Sequence, residues 1–116
     1  MTAADCLFCR IVAGEIPAHK VDETDTTLAF RDIDPKAPLH VLVVPKRHIP
    51  SVNALDATDA ALVGELIVRA RDIARAEGVA AGGYRLVLNT GADAGQSVDH
   101  IHLHLLGGRD LRWPPG

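Results

Sequence analysis

The segment His100-Ile101-His102-Leu103-His104-Leu105-Leu106 sets half of the chain's six histidines at alternate positions. Side chains at i, i+2 and i+4 of a strand share one face, and the residues between them take the other. Three imidazoles would then line one face while Ile101, Leu103 and Leu105 anchor the opposite face in a core. Imidazole changes charge near neutral pH and serves as nucleophile, proton carrier or metal ligand, so a catalytic strand and a metal strand are both open. Along a straight strand the outer histidines stand ~13 Å apart. A zinc ion sits ~2.0–2.1 Å from each nitrogen, so one ion cannot collect all three, and two sharing a metal leave the third over. The bland alternative is a partly exposed strand that merely carries histidines, and strict alternation argues against it.

Gly91-Ala92-Asp93-Ala94-Gly95-Gln96-Ser97 leads into this strand. Small residues let backbone N–H groups converge on an anion, and Gln96 and Ser97 add side-chain donors. Such a loop alone is equally an ordinary turn. Its place three residues before His100 is what points to a phosphate held against the imidazoles. Cys6-Leu7-Phe8-Cys9 admits three readings: a redox couple, half of a zinc site, or two buried thiols. No thioredoxin-like unit surrounds it, and a structural zinc needs two further ligands.

The elements that must position these residues follow from pattern. A short helix is predicted from Asp5–Cys6 to just before Gly14, with Pro17 beyond it. Strands are predicted around Val21 and over Thr26–Arg31, and Asp34-Pro35-Lys36-Ala37-Pro38 is turn material. His40-Val41-Leu42-Val43-Val44 reads as a central strand covered on both faces and ended by Pro45. Ala57–Glu77 carries helical spacing, with Asp56 or Thr58 to cap it and Gly78 to end it. Gly64 inside that helix costs ~1 kcal/mol relative to alanine, and a close helix contact, a subunit interface or chance would account for it. Tyr84–Asn89 is a further strand. Short strands outnumber helices and one connection alone is long enough to be helical, which favours an antiparallel α+β fold over a doubly wound parallel sheet.

Composition bounds the rest. The 116 residues are expected to form one domain over 1–116, with a core that needs no disulfide. The net charge of −3 and the lack of a basic run leave no electrostatic footprint for nucleic acid. Met1-Thr2-Ala3-Ala4-Asp5 lacks a signal peptide's basic start, and no apolar run nears the ~20 residues that span a bilayer. A cytoplasmic location without membrane contact is therefore expected.

Gly95-Gln96-Ser97-Val98-Asp99-His100-Ile101-His102-Leu103-His104-Leu105-Leu106 resembles the signature of the histidine triad (HIT) family of nucleotide hydrolases and transferases. The resemblance continues through Phe8 to Pro17, Ala29 to Ile33, Pro38 to His48, Tyr84 to Asn89 and Gly107-Gly108-Arg109. The ending Trp113-Pro114-Pro115-Gly116 resembles the Hint branch, whose members hydrolyse purine nucleoside phosphoramidates. The dinucleoside-polyphosphate branch lacks that tail, and the uridylyltransferase branch has glutamine where this chain has His104.

The resemblance implies a HIT-like fold, a five-stranded antiparallel sheet with one long and one short helix. It implies that His102 attacks the α-phosphorus to form a covalent nucleotidyl-histidine, which water hydrolyses. A backbone carbonyl or His40 would fix its tautomer. His104 would bind phosphate oxygens, with His104 or Ser97 contacting the leaving group, and Asn89, Gly95 and Gln96 would complete the phosphate site. Leu7, Phe8, Ile11, Phe30, Ile33 and Leu42 would wall the base, each being also a plausible core residue. Asp32 would take the ribose hydroxyls, although an Asp at a strand end is also common turn material. No metal is required for this chemistry. Bacterial relatives complete the cysteine pair with the histidine after Pro-Lys-x and the first triad histidine, which here gives a structural zinc site of Cys6, Cys9, His48 and His100. Finally, it implies a homodimer joined sheet edge to sheet edge, with Trp113 reaching toward the partner's site. The rival from another class is a nucleotide-binding interaction module with little turnover; dinucleoside-polyphosphate hydrolysis is a third reading.

Overall fold

The computed structural model describes residues 5–116, so all but the last residue of the Met1–Asp5 segment lies outside it. Cys6 caps the first helix, α1 (Leu7–Val12), its Sγ accepting the Cys9 N–H at 3.4 Å. The chain then forms β1 (Lys20–Glu23), β2 (Thr27–Arg31), β3 (Leu39–Pro45), the long helix α2 (Ala60–Ala76), β4 (Tyr84–Leu88) and β5 (Leu103–Gly107). The strands make a single sheet in the order β1-β2-β3-β5-β4, with every neighbouring pair antiparallel. This is the α+β, HIT-like architecture expected, with a five-stranded antiparallel sheet, one long helix and one short one.

The near-continuous apolar run of β3, broken only by His40, follows from its position: every residue from Leu39 to Pro45 is buried. Val41 and Val43 join Leu66, Ala70, Ile73, Leu103 and Leu105 in a core beneath α2. Leu42 and Val44 point the other way and pack with Phe8, Ile11, Leu28 and Phe30 beneath α1. Period-two alternation thus gives one strand two cores. The site residues lie on the α1 side, where the covering helix is short and leaves part of the sheet open.

Two boundaries differ from the sequence reading by three residues. Helix α2 starts at Ala60 rather than Ala57, because Ala57–Asp59 tighten into a 3₁₀ turn. Asp56 accepts the Thr58 N–H at 2.9 Å and Asp59 accepts the Asp56 N–H at 2.8 Å, so the acids exchange caps there. The histidine strand is shorter than the predicted His100–Leu106, since the ladder begins only at Leu103. The Ile101 N–H bonds to the Ile49 carbonyl at 2.7 Å, outside the ladder that β3 offers. Ile101 is nonetheless buried, as are Leu103 and Leu105. Among the described residues, no helix is long and apolar enough to cross a membrane.

Candidate active site and candidate metal centre

The three histidines separate into two sites. The His100 ring turns to the cysteines, while the His102 and His104 rings lie 4.9 Å apart, centroid to centroid. They line a cavity of about 300 Å³. Its walls include Leu7, Phe8, Ile11, Phe30, Ile33 and Leu42, together with Asp32 and Ser97. A wider concavity of about 600 Å³ opens between the Gly78–Arg85 segment and Gly108–Leu111, but no histidine or cysteine lines it.

Hydrogen bonds assign a tautomer to each ring. His102 Nδ1 lies 2.7 Å from the His100 carbonyl, to which only an N–H can donate. In the neutral ring Nε2 is then a bare lone pair. Burial holds this imidazole below the ordinary histidine range, against the opposing pull of that carbonyl. Of the two orienting groups proposed for His102, the structure supplies the carbonyl.

His40 orients His104 instead. The Lys36 N–H donates to His40 Nδ1 at 3.0 Å, which puts the His40 proton on Nε2. That proton faces His104 Nδ1 at 2.9 Å, with Asp32 Oδ2 3.5 Å away. His104, accepting at Nδ1, must carry its own proton on Nε2, and this atom has no hydrogen-bond partner. A buried polar atom without a partner costs on the order of 1–3 kcal/mol, so a ligand oxygen here removes a penalty. Burial pushes the His104 pKa down to about 4, with His102 and His40 adding to the effect. Burial also lowers His40, more than Asp32 raises it.

Asp32 fills the turn role and also lines the cavity. Its Oδ1 accepts the Asp34 N–H at 2.8 Å in a turn, and its Oδ2 faces His40 and the cavity. Asp32, His40 and His104 also place ligand atoms within 4.8 Å of one another. They are wired as hydrogen bonds, however: the His104 lone pair is engaged by the His40 N–H, and no nitrogen lone pair faces the centre of the trio.

Other residues fall differently. Gln96 is not free to donate to a phosphate: its Oε1 accepts the Gly91 N–H at 2.9 Å, and its Nε2 donates to Pro50 at 2.7 Å and Val98 at 3.0 Å. It clasps the loop, because a primary amide can satisfy several main-chain groups that a turn leaves unpaired. Asn89, Gly95 and Trp113 do not line the cavity within one protomer, and Trp113 is 82% exposed. Ile16, Pro17, Ala18, Arg31 and Val98 do line it and were not singled out by sequence. Ile16, Pro17 and Ala18 sit in the segment after α1, where no periodic pattern marks a wall. The Lys36 N–H leaves no sequence signal at all, since it is a main-chain group.

Cys6, Cys9, His48 and His100 converge behind the cavity, their ligand atoms within 4.8 Å of one another. Cys6 Sγ is 3.4 Å from His100 Nδ1, and Cys9 Sγ is 3.2 Å from His48 Nδ1 and 3.5 Å from His100 Nδ1. Sulfur and nitrogen ligands around a tetrahedral zinc stand about 3.3–3.8 Å apart, so this donor set fits the ion. His100 Nε2 donates to the Pro45 carbonyl at 2.8 Å, which leaves its Nδ1 lone pair aimed at the sulfurs. A carbonyl on the far nitrogen is the usual second contact of a metal-ligating histidine. Burial and the neighbouring Cys6 push the Cys9 thiol up to about 11, so a thiolate here calls for a cation.

A family model for the HIT domain matches residues 13–111. An uncharacterized HIT-like protein of Synechocystis is 47% identical over 114 residues, covering 98% of this chain and 99% of that one. The solved structure of a HIT family hydrolase from Legionella pneumophila is 53% identical, with a TM-score of 0.95, over 97% of this chain and all of that one. A histidine triad protein from Clostridium difficile is 43% identical, with a TM-score of 0.92, over 97% of both chains. The chain belongs to the HIT family.

Proposed function

We propose that this protein hydrolyses purine nucleoside phosphoramidates through a covalent intermediate on His102, as in the Hint branch. The observation that carries the reading is the pairing of tautomers: a bare His102 Nε2 stands beside an unpartnered His104 N–H in one cavity. The lone pair attacks the α-phosphorus of the N-protonated phosphoramidate, the phosphorus–nitrogen bond breaks, and the amine leaves neutral with the electron pair of that bond, which the Ser97 hydroxyl meets as a hydrogen-bond donor. His102 keeps its Nδ1 proton, so the nucleotidyl-imidazole is cationic, and the His100 carbonyl stabilises that charge. Water then attacks the same phosphorus and releases the nucleoside monophosphate. His104 Nε2–H binds the phosphate oxygens throughout, Asp32 takes the ribose hydroxyls, and the apolar walls take the base. The similarity to a protein described as a HIT family hydrolase supports turnover over binding alone.

A structural zinc on Cys6, Cys9, His48 and His100 belongs to this reading. Bound there, it would cross-link α1 to the histidine segment with no position open for substrate.

The homodimer belongs to it as well. β4 pairs only with β5, so its outer edge is unpaired among the described residues, and free edges invite pairing. On α2, Ile67 and Val68 are exposed and a Cβ on Gly64 would meet nothing within 4 Å. Nothing within the protomer requires that glycine, which favours a subunit contact. Trp113, exposed in one protomer, would meet the partner's site.

The test is AMP release from adenosine 5′-phosphoramidate, with a dinucleoside polyphosphate as comparison. Native protein is expected to prefer the phosphoramidate, and His102→Ala to bind AMP without turnover. Native protein that binds AMP yet turns over neither substrate would establish a binding module instead.

A further inference from the structure

Resting on the reading of His102 as nucleophile, we propose that the Cys6–Cys9–His48–His100 centre sets the orientation of His102, with His100 as the positioning residue. The side chain of His100 belongs to the centre, while its main-chain oxygen accepts the His102 Nδ1–H at 2.7 Å. One residue thus joins the cluster to the group that determines which nitrogen of His102 is bare.

The backbone here has few other anchors. The β5 ladder begins at Leu103, so the His100 carbonyl lies outside the sheet. The Ile101 N–H goes to Ile49, the residue next to His48. What holds the carbonyl in place is therefore the His100 side chain, tied by Nε2 to Pro45 and facing the two sulfurs with Nδ1. A second route runs through Phe8, which stands between the two cysteines on α1. Its ring meets His100 edge-on at 5.9 Å and His102 at 5.0 Å. A third runs from Pro50, two residues after His48, to Gln96 and the loop before the histidines.

Each route begins at or beside a ligand of the centre. Closing the centre fixes the carbonyl, and the carbonyl fixes the tautomer. An imidazole released from it samples the other tautomer and then presents an N–H to the phosphorus, where no lone pair is available.

The experiment is ¹⁵N NMR of histidine-labelled protein, zinc-loaded and after chelation, beside His48→Asn and His48→Cys. The cysteine variant keeps four metal ligands and the asparagine variant does not. Loaded native protein and His48→Cys are expected to show His102 as one tautomer, protonated at Nδ1. Chelated protein and His48→Asn, with unchanged far-UV circular dichroism, are expected to show averaged ring signals and a kcat lower by ~10-fold or more. A folded metal-free sample that keeps the native His102 tautomer, with only its melting temperature lowered, would overturn the proposal. Turnover together with a metal-independent tautomer leaves the hydrolase reading standing and removes this inference. A metal-dependent tautomer in a protein without turnover does the reverse.

Discussion

His40, His102 and His104 carry the same side chain, and what sits on one ring nitrogen decides what the other can do. A carbonyl on Nδ1 makes His102 a lone-pair donor, whereas the His40 N–H on Nδ1 makes His104 a hydrogen-bond donor at Nε2. Both are held below the ordinary histidine range by burial, so both are neutral at pH 7. Protonating His102 would remove the nucleophile proposed above, so the acid limb of kcat/KM is expected below pH ~6.5, the ordinary histidine value. A limb at or above that value in a pH–rate profile would contradict the assignment. Stability follows the same sign. The folded His104 pKa of about 4 lies below the unfolded value, so the unfolded chain binds more protons between the two. The contribution of His104 is complete above pH ~6.5 and lost as pH falls toward 4. Thermal unfolding between those values should show a falling melting temperature, with a shallower fall in His104→Asn.

At the scale of elements, α1 and the 91–98 loop do work out of proportion to their length. α1 is six residues long, below what an isolated helix sustains in water, so tertiary contacts hold it. Cys6 and Cys9 face His48 and His100, while Leu7, Phe8 and Ile11 wall the cavity. The loop is closed by Gln96, whose amide joins Gly91, Pro50 and Val98. Gln96→Ala is expected to cost about 1–2 kcal/mol in urea unfolding and to weaken AMP binding measured by calorimetry. Unchanged AMP affinity would show that the clasp does not shape the site.

On the scale of the molecule, the sheet separates two tasks. The α2 side carries the larger core, with Leu66, Ala70, Leu103 and Leu105 almost fully buried. The α1 side carries the cavity and its histidines. The outer surface of α2 and the free edge of β4 belong to neither, and both match a subunit interface. With the dimer proposed above, Ile67→Glu should shift the protein to monomer in light scattering, with little change in chemical stability of the protomer because Ile67 is already 45% exposed. A native protein that scatters as a monomer would remove the dimer and, with it, a role for Trp113 at a neighbouring site.

The sequence by itself determined the fold class and the histidine row, while the two sets into which its members divide came from the family resemblance. Alternation over Ile101–Leu105, the apolar run of β3 and the helical spacing of α2 are local periodicities, and burial enforces them directly. The Cys-x-x-Cys pair and the glycine loop were visible as ambiguous motifs, because short spacings are compatible with several chemistries. Only the tertiary structure decided which groups surround them. His48 and His100 lie 39 and 91 residues from Cys9 in sequence, yet both meet its sulfur. The tautomers depend on the Lys36 N–H and the His100 carbonyl, main-chain groups identical in every sequence. Gln96 became a clasp and not a phosphate donor because Pro50 came within reach of its amide. Residue type sets what a side chain is able to do; the partner brought to its second atom by the fold selects what it does.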